Sequence, residues 1–204
     1  MPEGFASTRL LPKDLGRRLD GVHDELGDLR GLRPAAVIGL LLEGPRWSDG
    51  PSLLLIERSS KLRQHAGQIA FPGGKPEPGD RDLLDTALRE AWEEVGLPRE
   101  HVSVLGRLAP VPTPTGFMIV PFVGRVAVDW EPRRTSPEVE RILTPSLRTL
   151  LDPAIHRHTG DVEWQGSRYS LHEFAIADPP LWGATARMVW DLLERIGFTP
   201  SNGE

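Results

Sequence analysis

The sequence predicts an α+β, or mixed α/β, sandwich. Three observations point to it. Short apolar runs bounded by Gly and Pro read as strands. Two longer segments carry apolar residues at helical spacing. Strands and helices alternate irregularly along the chain.

In chain order, Leu11 to Leu32 is charged with spaced leucines and reads as one or two surface helices. Ala35 to Leu42 is an apolar run that fits a buried strand. Glu43 to Pro51 is turn chemistry, and Leu53 to Ile56 returns as a second strand, so the pair predicts a hairpin. The Gly- and Pro-rich stretch Phe71 to Gly79 precedes a helix that Asp80 or Asp82 would cap. Leu84, Ala87, Leu88, Ala91 and Val95 form its apolar face, and Gly96 and Pro98 end it. Val102 to Leu108 and Met118 to Val128 read as strands, and Thr144-Pro145 opens a short helix to Leu151. Val162 to Trp164 and Tyr169 to Ile176 predict a hairpin around Gly166, and a last helix runs from about Leu181 to Ile196. These spans divide the chain into an N-terminal helical extension (1–33), one domain (34–198) and a flexible tail (199–204).

Composition excludes several classes of function. The chain has 204 residues and no cysteine, so disulfides, thiol catalysis and thiolate metal sites are absent. No apolar run approaches the ~20 residues of a membrane span, and residues 1–11 lack a signal-peptide stretch. A cytoplasmic, membrane-free protein is expected. The net charge of −5 argues against nucleic-acid binding, but not against a phosphate substrate, because bound cations can invert a local field.

The chemistry concentrates in Arg89-Glu-Ala-Trp-Glu-Glu-Val-Gly-Leu97. At about 100° per residue, Glu93 and Glu94 fall roughly 60° and 40° to either side of Glu90. The three carboxylates share one face, away from the apolar stripe. They repel one another at a helix C-terminus, where the dipole also disfavours them. A hard divalent cation is the natural compensation. Arg89, four residues before Glu93, is spaced to pair with it. An acidic pair on a helix ordinarily marks a solvated face. Here Gly73-Gly74 precedes the helix, and its bare backbone can bring a carbonyl close to a metal.

Gly74 through Leu97 resembles the Nudix box, Gly-x5-Glu-x7-Arg-Glu-U-x-Glu-Glu-x-Gly-U, where U is a bulky aliphatic. The second half matches almost completely. Asp80 stands where the first Glu is expected, one extra residue separates it from Arg89, and Ala91 fills the first U. Upstream, Leu54, Leu55, Arg63, Gly67, Phe71, Pro72, Gly73 and Gly74 are similar to the motif of the coenzyme A pyrophosphatase subfamily. Pro112 to Gly116 and Trp182 to Thr185 are also similar to it.

The resemblance implies an α/β/α sandwich with a mixed sheet and a catalytic loop-helix-loop. It implies metal-dependent attack of water on a diphosphate, with Mg²⁺ or Mn²⁺. The substrate would be coenzyme A or a derivative, cleaved to 4′-phosphopantetheine and 3′-phospho-ADP. ADP-ribose or another nucleoside diphosphate derivative is the alternative, and a non-catalytic Nudix-fold module the more remote one. Glu90, Glu94 and the Gly74 carbonyl are then the metal ligands, and Glu93 the general base or a second-metal ligand. Glu90, Glu93 and Arg89 form the catalytic set. Arg58, Lys61 and Arg63, with Gly67, Phe71 and Gly73, would bind the substrate. Glu138 is an outside candidate for the proton transfer, and His156 and His158 for contact with substrate or metal, but all three read more simply as exposed loop residues. His65 reads as either a phosphate contact or a structural hydrogen bond. A homodimer is implied by analogy, with Trp92 on the outer side of the helix as a contact.

Overall fold

A computed structural model describes residues 11–22, 29, 31–47, 49–164 and 166–197. The apolar run after Pro34 forms the central strand β1, Arg33–Leu42. Ala36, Ile38 and Leu40 face one core and Leu41 the other, so both sides of the strand are buried. That is why it reads as continuous rather than alternating apolar sequence. β2 (Ser52–Arg58) pairs antiparallel with β1 as the expected hairpin, Leu40 opposite Leu54. β3 (Ile69–Ala70) adds to β2, and β4 (Gly73–Gly74) lies on β1, Gly74 opposite Ala36.

Helix α1, Leu83–Val95, starts at Asp82, whose carboxylate accepts from Asp85 N at 2.8 Å, and ends at the left-handed Gly96. After it come β5 (Ser103–Arg107), β6 (Val111–Pro112) and β7 (Phe117–Val126). β7 runs parallel to β1 along its whole length, from Arg33 beside Phe117 to Leu42 beside Val126. β5 and β6 pair antiparallel with β7, and β8 (Val139–Leu143) pairs antiparallel with β2. The sheet is therefore mixed, in the order β3-β2-β1-β7-β5. Helix α1 covers one face through Ala87, Leu88, Ala91 and Val95. On the other face lie the short α2 (Leu147–Leu150) and the C-terminal α3 (Gly183–Ile196). A second sheet, β9 (His156–Trp164), β10 (Ser167–Phe174) and β11 (Leu181–Trp182), packs with α3. The α/β/α sandwich is thus as expected. No helix among the described residues is long and apolar enough to cross a membrane.

Two expectations are corrected. Residues 11–22 hold a single 3-10 turn, Leu15–Arg17, in place of surface helices. Leu15 and Leu19 are buried in the core beside α3, so the spaced leucines serve tertiary packing rather than a helix face. Residues 23–28 and 30, and the tail 199–204, lie outside the described residues.

His156 and His158 stand on β9, not in an exposed loop. His158 remains open and its Nε2 meets Asp161 at 3.2 Å, but His156 is half-buried. His156 Nε2 and His172 Nδ1 are 2.9 Å apart, and one must donate to the other. Both rings lie flat against Trp190 of α3, with centroids at 4.2 and 4.6 Å. His172 is buried, and its Nε2 has no hydrogen-bond partner among the described residues. Burial, followed by the neighbouring histidines, pulls His172 down to about 4. A neutral pair in the fold and ordinary histidines in the unfolded chain mean that stability holds above pH ~6.5. It is lost as the pH falls toward 4, by on the order of 2 kcal/mol. Urea melts at pH 7.5 and 4.5 should show this drop, and His172→Gln should flatten it. An equal drop in the variant would place the acid sensitivity elsewhere.

Candidate active site

The carboxylates of α1 do not share one environment. Glu94 points inward and is 4% exposed, and its Oε2 accepts a hydrogen bond from Gly73 N at 3.1 Å. Desolvation, eased in part by that hydrogen bond, pushes Glu94 up to about 8. Glu90 is also raised by burial, against the pull of Arg89. Its carboxylate is pressed onto Gly74, where a Cβ would lie 2.1 Å from Glu90 Oε1. Glu93 is the open member, with its side chain 51% exposed.

Arg89 organises this face. Its guanidinium lies 3.1 Å from Glu90 Oε1 and 3.2 Å from Glu93 Oε2, and it donates to Lys75 O at 3.1 Å. It also donates from Nε and Nη2 to the two oxygens of Asp80, at 3.0 and 3.1 Å. Asp80 accepts further hydrogen bonds from Glu77 N and Thr86 Oγ1. The extra residue before Arg89 thus leaves Asp80 able to grip it with both oxygens. Arg89 in turn holds Asp80 down at about 2.

The helix end that carries these groups is tied down. Thr135 Oγ1 donates to Glu93 O at 2.7 Å, Thr135 N to Glu94 O at 3.2 Å and Arg133 N to Val95 O at 3.1 Å. Trp130 Nε1 donates to Gly96 O at 3.2 Å. The last carbonyls of α1, ordinarily left to solvent, are satisfied by a crossing segment.

A family model described as the NUDIX domain matches residues 32–165. The chain belongs to the Nudix family. It is accordingly an enzyme, a Nudix hydrolase acting on a diphosphate substrate. It is 36% identical over 164 residues to an uncharacterised Nudix hydrolase, NudL, of Photorhabdus laumondii, covering 80% of this chain and 85% of that one. It is 37% identical over 148 residues to NudL of Yersinia pestis, covering 72% and 74%. Among solved structures, a MutT/nudix family protein from Enterococcus faecalis shares the fold, with a TM-score of 0.50 at 17% identity, over 84% of this chain and 63% of that one.

Nudix hydrolases generally use divalent metal ions, and the residues here fit one. Glu90 and Glu94 are hard oxygen donors, both desolvated, beside a backbone that a side chain would block at Gly74. Among the described residues no three acidic or histidine groups already converge, and both Glu90 and Glu93 are paired with Arg89.

The upstream residues of this Nudix hydrolase divide. Arg58 lies at the end of β2 with Nη1 3.9 Å from Glu94 Oε1 and Nη2 3.4 Å from Glu138 Oε2. Its guanidinium is thus engaged by carboxylates rather than held open for substrate, and Glu138 is drawn to the carboxylate site despite its exposure. Arg63 and Lys61 are exposed, and their side chains make no ion pair with a described residue. Phe71 is 1% exposed, and its ring packs under Gly39 as a core residue, so any part it has in binding is to support the loop from beneath. Gly67 is a turn residue, left-handed with its N–H on Arg58 O. Gly73 spends its N–H on Glu94. His65 Nδ1 pairs with Gln68 Oε1 at 2.8 Å, the structural option for that residue.

Asp80, whose role the sequence left undecided, is placed by the fold against Arg89. Its grip on Arg89 predicts that Asp80→Asn will lower kcat/KM roughly tenfold to a hundredfold, as for other supporting shells of metal sites. It should also remove the stability that the wild type holds above pH ~4 and loses toward pH 2. Steady-state kinetics and acid unfolding of the variant check both. Unchanged kinetics would reduce Asp80 to a local turn residue.

Proposed function

We propose that this Nudix hydrolase cleaves the diphosphate of coenzyme A or a derivative to 4′-phosphopantetheine and 3′-phospho-ADP. The observation that carries the diphosphate chemistry is the pair of desolvated carboxylates, Glu90 and Glu94, set against the Gly73-Gly74 backbone. The similarity of Leu54 to Gly74 to the coenzyme A pyrophosphatase motif supports the substrate.

Glu90, Glu94 and the Gly74 carbonyl would hold Mg²⁺ or Mn²⁺. When bound, such a cation neutralises the diphosphate and acidifies water. Glu93 is the most open of the three helix glutamates and would be the general base that accepts the proton of the attacking water. The water oxygen forms a bond to one phosphorus, the bridging P–O bond breaks, and the leaving phosphate takes the electron pair. Arg89, gripped by Asp80, fixes Glu90 and Glu93 at the spacing this transfer needs. Arg63 and Lys61 remain free to meet substrate phosphates. The chain would work on a small nucleotide, with a homodimer as its expected assembly and with no nucleic-acid or membrane partner.

A turnover screen tests the reading. Coenzyme A, ADP-ribose, NADH and nucleoside triphosphates are offered with Mg²⁺ or Mn²⁺, and products are separated by chromatography. Release of 4′-phosphopantetheine and 3′-phospho-ADP is expected. Turnover of ADP-ribose or another diphosphate alone would keep the mechanism and remove coenzyme A as substrate.

A further inference from the structure

A basic corner beside the carboxylates has no part in the reaction so far. Arg33 opens β1, Lys75 follows β4, and both converge on Phe117 at the start of β7. Arg33 Cζ lies 4.2 Å from the ring centroid, and Lys75 Nζ lies 5.3 Å from it. Both cations are exposed, and neither makes an ion pair with a described residue. Arg58 and Arg89, by contrast, are spent on carboxylates.

The corner is joined to the site. Lys75 is the residue after Gly74, and its carbonyl accepts from Arg89. Arg33 N donates to Gly116 O at 3.0 Å, which fixes the start of β1 against the loop 113–116. A guanidinium resting on an aromatic ring keeps N–H groups free for bidentate contact with an oxyanion. In a chain of net charge −5, two cations with no ion-pair partner among the described residues, held on one ring, are where a second anionic group of a substrate would settle.

We propose that Arg33 and Lys75 form a phosphomonoester subsite. It selects nucleoside diphosphates that carry an additional phosphate on the ribose over those that do not. This rests on the reading that the Glu90 and Glu94 site takes a nucleoside diphosphate.

The test uses binding and turnover in parallel. Adenosine 3′,5′-bisphosphate and 5′-AMP are titrated calorimetrically into the wild type, Arg33→Gln, Lys75→Gln and the double variant. The wild type should prefer the bisphosphate by about tenfold. The double variant should show no preference, and Lys75→Arg should keep most of it. In turnover, the ratio of kcat/KM for coenzyme A over dephospho-coenzyme A should fall about tenfold in the double variant. Equal binding of the two nucleotides by the wild type, or a preference that survives in the double variant, overturns the subsite. A bisphosphate preference lost in the variants, without turnover of coenzyme A, keeps the subsite and removes coenzyme A as substrate. Turnover of coenzyme A without discrimination does the reverse.

Discussion

Glu94→Gln should lower kcat/KM on the order of a thousandfold, the loss expected when several kcal/mol of charge stabilisation leave the transition state. The melting temperature should hold or rise. The amide keeps the shape of the side chain and an oxygen for Gly73 N–H. It removes a charge from a position that burial has already pushed up to about 8. A carboxyl raised in the fold favours folding in its protonated form. That contribution is whole below pH ~4.5 and is lost as the pH rises through 8. Without divalent cation at pH 8, the variant should therefore melt at or above the wild type. Activity assays with Mg²⁺ and thermal melts decide the matter. Retained activity would remove Glu94 from the metal site. A large fall in melting temperature would make it a structural residue.

Gly73→Ala should be the most damaging single substitution to stability in the loop. A Cβ there would lie 2.3 Å from Ala36 O and 2.6 Å from Val37 Cα. Those atoms belong to β1, which β2 and β7 hold from both sides, so the backbone cannot retreat. The glycine also sits at φ 156°, where side chains are strained. A cost of about 3 kcal/mol follows from overpacking and backbone strain. For a chain of this size that is about 10 °C in melting temperature. Gly74→Ala gives the contrast. Its Cβ would strike the end of the Glu90 side chain, which can swing away. It should keep the fold and lose activity. Equal destabilisation by the two would show that β4 tolerates or rejects side chains as a whole.

The parts of the molecule governed by local periodicity were legible in the sequence. The apolar run of β1, its hairpin with β2 and the register of Glu90, Glu93 and Glu94 all follow from spacing along one strand or helix. The rest depends on partners distant in sequence. Arg58 looks like a free cation until β8 brings Glu138 beside it. His156 and His158 look like loop residues because Trp190, which covers His156, comes from the last helix. Phe71 sits among glycines and prolines, and only the direction of the loop turns its ring into the core. Asp80 reaches Arg89 from outside the helix, so no helical pattern contains that pair. Leu15 and Leu19 form no helix face, but pack into the core cluster that the α3 residues share.

The parallel pairing of β1 with β7 bears on how the protein is made. The loop-helix-loop with all three glutamates is synthesised between the two strands and leaves the ribosome before β7 does. At that stage β1 has β2 and β4 beside it and lacks the neighbour it meets along its whole length. Closing so distant a contact is slow relative to forming a helix or hairpin. A nascent chain that already carries all three glutamates proposed for the site thus has no completed sheet to hold them. The enzyme can become active only once the chain through Val126 has emerged and docked.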